Sequence, residues 1–495
     1  MLFNSFEFIL VFLPIVTFVY FLLNKKKLTI AARVWLVIGS LVFYSWWNLS
    51  YLPLILLSIV VNYGIGFILS HDHVKLPRKF ILVIGLVFNI SLLGYYKYSD
   101  FFITNTNALI GTNIPLLNIG LPLAISFFTF QQIAYIVDSY RKETREFDFI
   151  NYVLFVTFFP QLIAGPIVHH KEMMPQFRIL RNKFVNYRNQ ALGMFVFSIG
   201  LFKKVVLADT FAVWATQGFD QLDSLTFVEG WVVSLSYTFQ LYFDFSGYMD
   251  MAMGAALLFN IKLPINFNSP YKALNIQDAW NTWHITLSKF LYRYIYIPLN
   301  KFLLNRIFTP LGLKKQVMAR TCLGLVLLFL ISGFWHGAGW TFVLFGLFHG
   351  IAMVIHRYWK LTKIKMNKIL AWLITFNFIN LNFVFFRATS MEDAFKVLRG
   401  MAGLNGIVVP TKLVEALPSL AQLNFLEFGG TPLNDVSSAF KYIFIGFVLV
   451  LGFKNSGQLM EKFKPTWYLL LYTVILFIYS LLNMTKVSEF LYFNF

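Results

Sequence analysis

Apolar runs of about 17 to 22 residues, the length a helix needs to cross a bilayer core, recur along this chain from one end to the other. Within hydrocarbon a backbone must satisfy its own N–H and C=O groups, and runs of this length can do so only as helices packed on one another. Composition agrees, since 58% of the 495 residues are hydrophobic and only 13% are charged, unlike a soluble domain. The sequence therefore reads as an all-α polytopic membrane protein, one integral membrane domain over residues 1–495. Candidate spans lie near residues 8–23, 34–46, 52–69, 80–95, 121–137, 191–207, 227–243, 248–259, 318–335, 341–358, 369–386, 442–453 and 468–482.

Charge orients these spans. Lys25, Lys26 and Lys27 follow the first run, whereas a cleavable signal carries its bases before the apolar stretch. The expectation is a retained helix with its N-terminus outside. The net charge of +19 reads as cytoplasmic loops under the positive-inside rule rather than as a nucleic-acid surface. Residues 262–320 carry nine Lys or Arg against the single acid Asp278, and residues 169–189 carry five against Glu172, so both stretches are expected in the cytoplasm. Residues 391–440, with five acids and three bases, fit an external loop. The apolar stretch "FVTFFPQLIAGPIVHHKEMMPQF" has Arg141, Lys142 and Arg145 before it and the basic run after it. One straight crossing cannot place both ends in the cytoplasm, and Pro160, Gly165 and Pro166 break a helix at mid-stretch. The expectation is a re-entrant hairpin, tolerated where it is buried in protein or lines a wet cavity.

Three polar clusters interrupt the apolar background. In "YFDFSGYMDM", Asp244, Ser246 and Asp250 sit among aromatics. An acid at membrane depth costs roughly 2.5 to 3.5 kcal/mol on insertion scales, so Asp244 is either a functional acid or the cap of a helix starting near Gly247. In "NFNSPYKALNIQDAWNTWHITLSKFLYRYIYIPL", Trp280, Asn281, Trp283, His284 and Ser288 alternate with bases, as in an interfacial or re-entrant helix; His284 alone reads as an interfacial histidine. In "GFWHGAGW", His336 stands between Trp335 and Trp340, where glycines end an apolar helix. His349 and His356, on the next helix, read as structural or interfacial. No histidine spacing resembles a zinc site, no pair of histidines has a nearby Asp or Glu ligand set, and the single Cys322 excludes an intrachain disulfide. No metal is expected. A G-x-S-x-G nucleophile elbow is also absent.

These stretches, in this order, with "MLFNSFEFILVFLP", "LPLAISFFTFQQIAYIVDSYR" and "FPQLIAGPIV" before them and "SGFWHGAGWTFVLFGLFHG" after, resemble the membrane-bound O-acyltransferase family, and more closely its bacterial branch that acetylates alginate or peptidoglycan. The resemblance covers at least residues 1–350. It implies a fold of about 11–13 transmembrane helices plus re-entrant and interfacial helices around a central tunnel, with core motifs over residues 121–358. It also implies an O-acyltransferase whose essential histidine is His336, assisted by His284, in a site supported by Asp244, Ser246, Asn281, Ser288, Trp335 and Trp340. A histidine near neutrality can take the proton from a hydroxyl attacking a thioester.

The implied donor is cytoplasmic acetyl-coenzyme A, with Lys272, Lys289 and Arg293 as candidates for its phosphates. The implied acceptor is an exported polysaccharide, the implied partner an extracytoplasmic protein of the serine-esterase type, and the implied location a bacterial inner membrane. Asn281 and Thr282 replace two arginines of the family pattern, and Tyr292 and Arg293 replace an Arg-Asp pair. A transporter would show paired broken helices in its two halves; a non-catalytic scaffold of a polysaccharide-synthesis complex is the other alternative, separated from an enzyme by thiol release from acetyl-coenzyme A.

Overall fold

A computed structural model describes residues 1–71, 76–144, 148–411, 427–484 and 488–491; His73 and Arg145 lie outside the described residues, as does part of the expected external loop. The chain runs through α1 (Glu7–Lys25), α2 (Thr29–Ser45), α3 (Leu49–Ser70), α4 (Arg78–Ile110), α5 (Ile125–Tyr140), α6 (Phe149–Thr157), α7 (His170–Arg178), α8 (Tyr187–Gln221) and α9 (Phe227–Leu258). It continues through α10 (Ile276–Thr282), α11 (Ile285–Phe290), α12 (Val317–His336), α13 (Trp340–Thr362), α14 (Lys368–Arg387), α15 (Met391–Met401), α16 (Val436–Gly452) and α17 (Trp467–Asn483). Among the described residues seven helices, α1, α3, α4, α8, α12, α13 and α14, are long and apolar enough to cross a membrane, and α2, α16 and α17 are shorter apolar helices. The chain is an all-α multi-pass membrane protein; a short parallel ladder, Val408–Pro410 on Glu427–Gly429, is its small β element.

Two compact units form, one from residues 1–202, 247–266 and 460–495, the other from residues 203–246 and 267–459. In the first, α1 packs on α2, and α5 packs on α3 and α4. A chain of buried amides joins these helices: Ser58 Oγ donates to Gln132 Oε1 at 3.1 Å, and Asn89 Nδ2 donates to Asn62 Oδ1 at 2.6 Å. Such bonds hold helices where the hydrophobic effect gives no preference between protein and lipid. Glycines let α8 and α9 touch, since a Cβ on Gly193 would meet the carbonyl oxygen of Gly254 at 2.7 Å.

The stretch predicted as a hairpin is broken as Pro160 and Gly165 require. Helix α6 ends at Thr157, a single turn follows at Phe159–Leu162, and the chain returns so that α7 packs on α6. Asp148 caps α6 and pairs with Arg33 at the start of α2. Burial opposes the charge on this carboxyl, but the Arg33 guanidinium and the Asn151 amide prevail and hold its pKa below the usual value.

Four boundary expectations are corrected. The spans near residues 227–243 and 248–259 are one 32-residue helix, α9, because Gly247 is held against Gly200 instead of opening a turn. Asp244 is therefore mid-helix and caps nothing. The span near 80–95 continues through a π-helical turn at Gly94–Tyr98 to Ile110, and that near 191–207 continues to Gln221; neither helix contains a proline, and their glycines, Gly94 and Gly218 among them, stay helical. Within residues 391–440, expected as a loop, α15 forms, capped by Ser390.

Candidate active site

The polar residues singled out around His284 and His336 all belong to the second unit, where α12 and α13 form a tight hairpin. A Cβ on Gly346 would come within 2.2 Å of the Phe329 carbonyl oxygen, and one on Gly333 within 2.3 Å of that of Phe342. The small residues "GLFHG" and "SGFWHG" thus allow backbone contact. That contact places His336, the last residue of α12, in a fixed enclosure: it is 3% exposed, with the rings of Trp335, Phe386 and Phe345 at 4.9, 5.1 and 6.0 Å. Gly337 is extended, so its conformation does not demand glycine, but a Cβ there would strike the Phe342 ring at 2.1 Å. Trp340, expected to wall this enclosure, is the less enclosed of the two tryptophans. It heads α13 and is 57% exposed, because the extended residues Gly337 and Gly339 carry the chain away before α13 begins.

His284 is fully buried, not an interfacial residue. It joins α10 to α11 with φ of 44°, a left-handed conformation that costs a non-glycine residue about 1 to 3 kcal/mol and is typical of residues held for a purpose. Its ring stands edge-on to Phe245 of α9 at 4.9 Å. Ser246, next along α9, is buried, and its Oγ has no hydrogen-bond partner among the described residues. Ser288 Oγ donates to the Trp280 carbonyl at 3.2 Å, closing the α10–α11 bend.

His349, expected to be structural, proves to be a neighbour of both stretches. Its Nδ1 accepts the Trp280 indole N–H at 3.2 Å, which leaves the proton of the neutral ring on Nε2. It stands 4.7 Å from Phe345, the ring that also borders His336. Trp280, Trp283, Phe345, Phe383 and His349 enclose a cavity of about 20 Å³, room for about one water. A thioester would enter only if these aromatics moved apart. His349 carried a sequence signal, a histidine 13 residues after His336 in an apolar helix, but its partner Trp280 lies 69 residues away.

Asp244 is held by an ion pair. Lys204 Nζ lies 2.8 Å from Asp244 and 2.9 Å from Asp209, with Lys204 and Asp244 both buried. Lys204 was visible in the sequence as a base inside an apolar run, the kind of intramembrane charge that needs a partner. Asn281, Lys272 and Lys289 are exposed; Lys272 Nζ donates to the Phe453 carbonyl at 2.9 Å, and Arg293 packs over Tyr294 at 5.5 Å.

In the first unit, Asp138 Oδ2 accepts from the Nε2 atoms of His169 and His170 at 2.8 and 2.9 Å. The expectation that no histidine pair has an acid nearby is therefore corrected: the acid lies 31 residues upstream of His169, and the α6–α7 hairpin brings it close. The three ligand atoms lie within 4.8 Å of one another, close enough to share a metal ion. However, His169 Nδ1 accepts the Lys171 N–H at 3.3 Å, which puts the ring proton on Nε2, where it bonds Asp138. The geometry is that of a hydrogen-bonded latch. Burial lowers the pKa of His170 despite the opposing Asp138 carboxylate.

Comparison with known proteins bears on this arrangement. The model of the membrane-bound O-acyltransferase family matches residues 138–392, which include α9 to α14. The chain is 48% identical to a peptidoglycan O-acetyltransferase of Helicobacter pylori, over 100% of this chain and 98% of that protein. It is 34% identical to a probable alginate O-acetylase of Pseudomonas aeruginosa, over 88% of this chain and 83% of that one. With a teichoic acid D-alanyltransferase of Streptococcus thermophilus it shares 28% identity over 53% of this chain and 68% of that protein. The chain, an O-acyltransferase, belongs to the membrane-bound O-acyltransferase family.

Proposed function

We propose that the chain takes an acetyl group from cytoplasmic acetyl-coenzyme A and passes it across the bacterial inner membrane for O-acetylation of a cell-surface polysaccharide, peptidoglycan foremost. An extracytoplasmic partner of the serine-esterase type completes the transfer to the glycan. The near full-length similarity to a peptidoglycan O-acetyltransferase supports the choice of polymer.

The observation that carries the reading is the position of His336. Helix α12 begins beside the basic stretch that the positive-inside rule places in the cytoplasm, and 20 residues of helix span about 30 Å. His336 closes the opposite end, and between it and Trp280 of α10 lie Phe345 and His349. In this reading the donor enters beside α10 and the acceptor meets His336 from the other side.

The residues then have distinct tasks. His336 accepts the hydroxyl proton as the acceptor oxygen attacks the thioester carbonyl; the C–S bond breaks as the ester C–O bond forms, and the proton leaves on the thiol. Trp335, Phe345 and Phe386 exclude water, which strengthens each polar contact and protects the thioester from hydrolysis. His284 assists from the α10–α11 link and Ser246 from α9, and the Lys204–Asp244 pair holds the neighbouring stretch of α9.

Mass analysis of peptidoglycan fragments from cells with and without this chain tests the proposal. O-acetyl groups should disappear when the chain is absent or carries His336→Ala at unchanged protein level. Undiminished acetylation in the His336→Ala strain would sink the assignment.

A further inference from the structure

A second cavity, of about 540 Å³, lies within the first unit beside the start of α8 and is bordered by Arg181, Arg188 and Lys262. Its volume is that of a small-molecule site. The three cations are exposed, and none makes an ion pair or side-chain hydrogen bond among the described residues. No Asp or Glu lines the cavity, so its field is uniformly positive.

The walls are held by reciprocal amide bonds. Gln176 Nε2 donates to the Lys262 carbonyl at 3.0 Å while its Oε1 accepts the Lys262 N–H at 2.8 Å. Asn260 Nδ2 donates to the carbonyls of Asn182 and Phe184 at 3.1 and 2.7 Å, and its Oδ1 accepts from Asn189 at 3.0 Å. The first turn of α8 borders the cavity through Arg188 and Asn189, which adds the positive end of a helix dipole. Ile179, Leu192 and Met460 form an apolar wall on one side. Both basic stretches that build the site are the ones the positive-inside rule assigns to the cytoplasm.

We infer that this cavity binds the phosphate groups of a nucleotide. Fixed walls, three free cations and a helix start suit clustered phosphates, and the small apolar wall suits a flat base. A lipid headgroup would share the phosphate chemistry, and the test below separates the two sources. Identifying the nucleotide as the phosphorylated adenosine end of coenzyme A rests on the donor named under Proposed function; the chemistry of the cavity does not.

The test is a titration of the purified full chain with coenzyme A, compared with Arg181→Gln and Arg188→Gln, alongside analysis of co-purified lipids. Each substitution should weaken coenzyme A binding by about tenfold, as loss of a charged hydrogen-bonding partner does, and high salt should weaken binding to the unaltered chain. Lipid composition should not change. Equal affinity in all three proteins would overturn the site while leaving the donor reading intact. Lack of coenzyme A binding, with adenine nucleotides still bound in an arginine-dependent way, would overturn the donor reading and keep the site. Loss of anionic lipid in the variants without loss of nucleotide binding would overturn the inference in favour of a headgroup site.

Discussion

At His349 and Lys204 single side chains do what the apolar background makes costly, and each has a partner that makes it tolerable. His349 turns its Nδ1 to Trp280 and thus presents a donor at Nε2, an atom with no hydrogen-bond partner among the described residues. Replacing it with Phe should keep the fold and lower kcat by about tenfold or more with little change in KM, as expected for loss of one donor to a charge-bearing transition state; His349→Gln should recover part of the rate. Unchanged kcat would make His349 a packing residue. Lys204 is shared by two carboxylates, so Lys204→Met should destabilise the protein by about 3 to 5 kcal/mol, the usual cost of breaking a buried ion pair by removing one partner. Thermal unfolding in detergent would measure it, and adding Asp244→Leu to the same protein should restore part of the loss. The sequence showed Asp244 as an expensive acid but could not show Lys204 as its partner, because 40 residues and a change of helix separate them. His336 and His284 were legible because aromatic and glycine-rich motifs surround them locally. The exposure of Trp340 was not legible, because sequence adjacency says nothing about which way an extended link turns.

Helices here are set by contacts that hydropathy does not encode. Gly346 and Gly333 let α12 and α13 touch, so Gly346→Val should separate the hairpin and sharply lower the yield of monodisperse protein, overpacking of this kind costing about 1 to 3 kcal/mol or more. A variant as stable as the parent would contradict the close approach. The link between α5 and α7 makes a pH prediction. His170 has a native pKa below its ordinary value of 6.5, so the unfolded chain binds a proton first as pH falls. Stability should be full above about pH 6.5 and decline below it; Asp138→Asn, which removes the shared acceptor, should lower the melting temperature at neutral pH. A melting temperature flat across that range would contradict the latch. The broken stretch was legible from Pro160 and Gly165, whereas the unbroken α9 was not, because Gly247 reads as punctuation until its packing against Gly200 is known.

Across the molecule, charge bias and helix direction give the chain a sidedness that the proposed reaction requires. Residues 262–320 and 169–189 should face the cytoplasm. A Lys289→Cys substitution in a Cys322→Ser background should therefore react with an impermeant thiol reagent in inside-out vesicles and not in intact spheroplasts; the reverse pattern would invert the reading. Sidedness could be read from Lys and Arg counts alone. The division into two compact units could not, since α8 and α9 run through their boundaries without any break in pattern.

In the proposed reaction His336 is required for moving acetyl from a cytoplasmic thioester to the opposite side. Labelled acetyl-coenzyme A supplied to the cytoplasmic face of inside-out membrane vesicles tests this directly. Vesicles with the unaltered chain should accumulate label in lumenal glycan, and those with His336→Ala should accumulate none at equal protein content. Equal labelling in both would contradict the account.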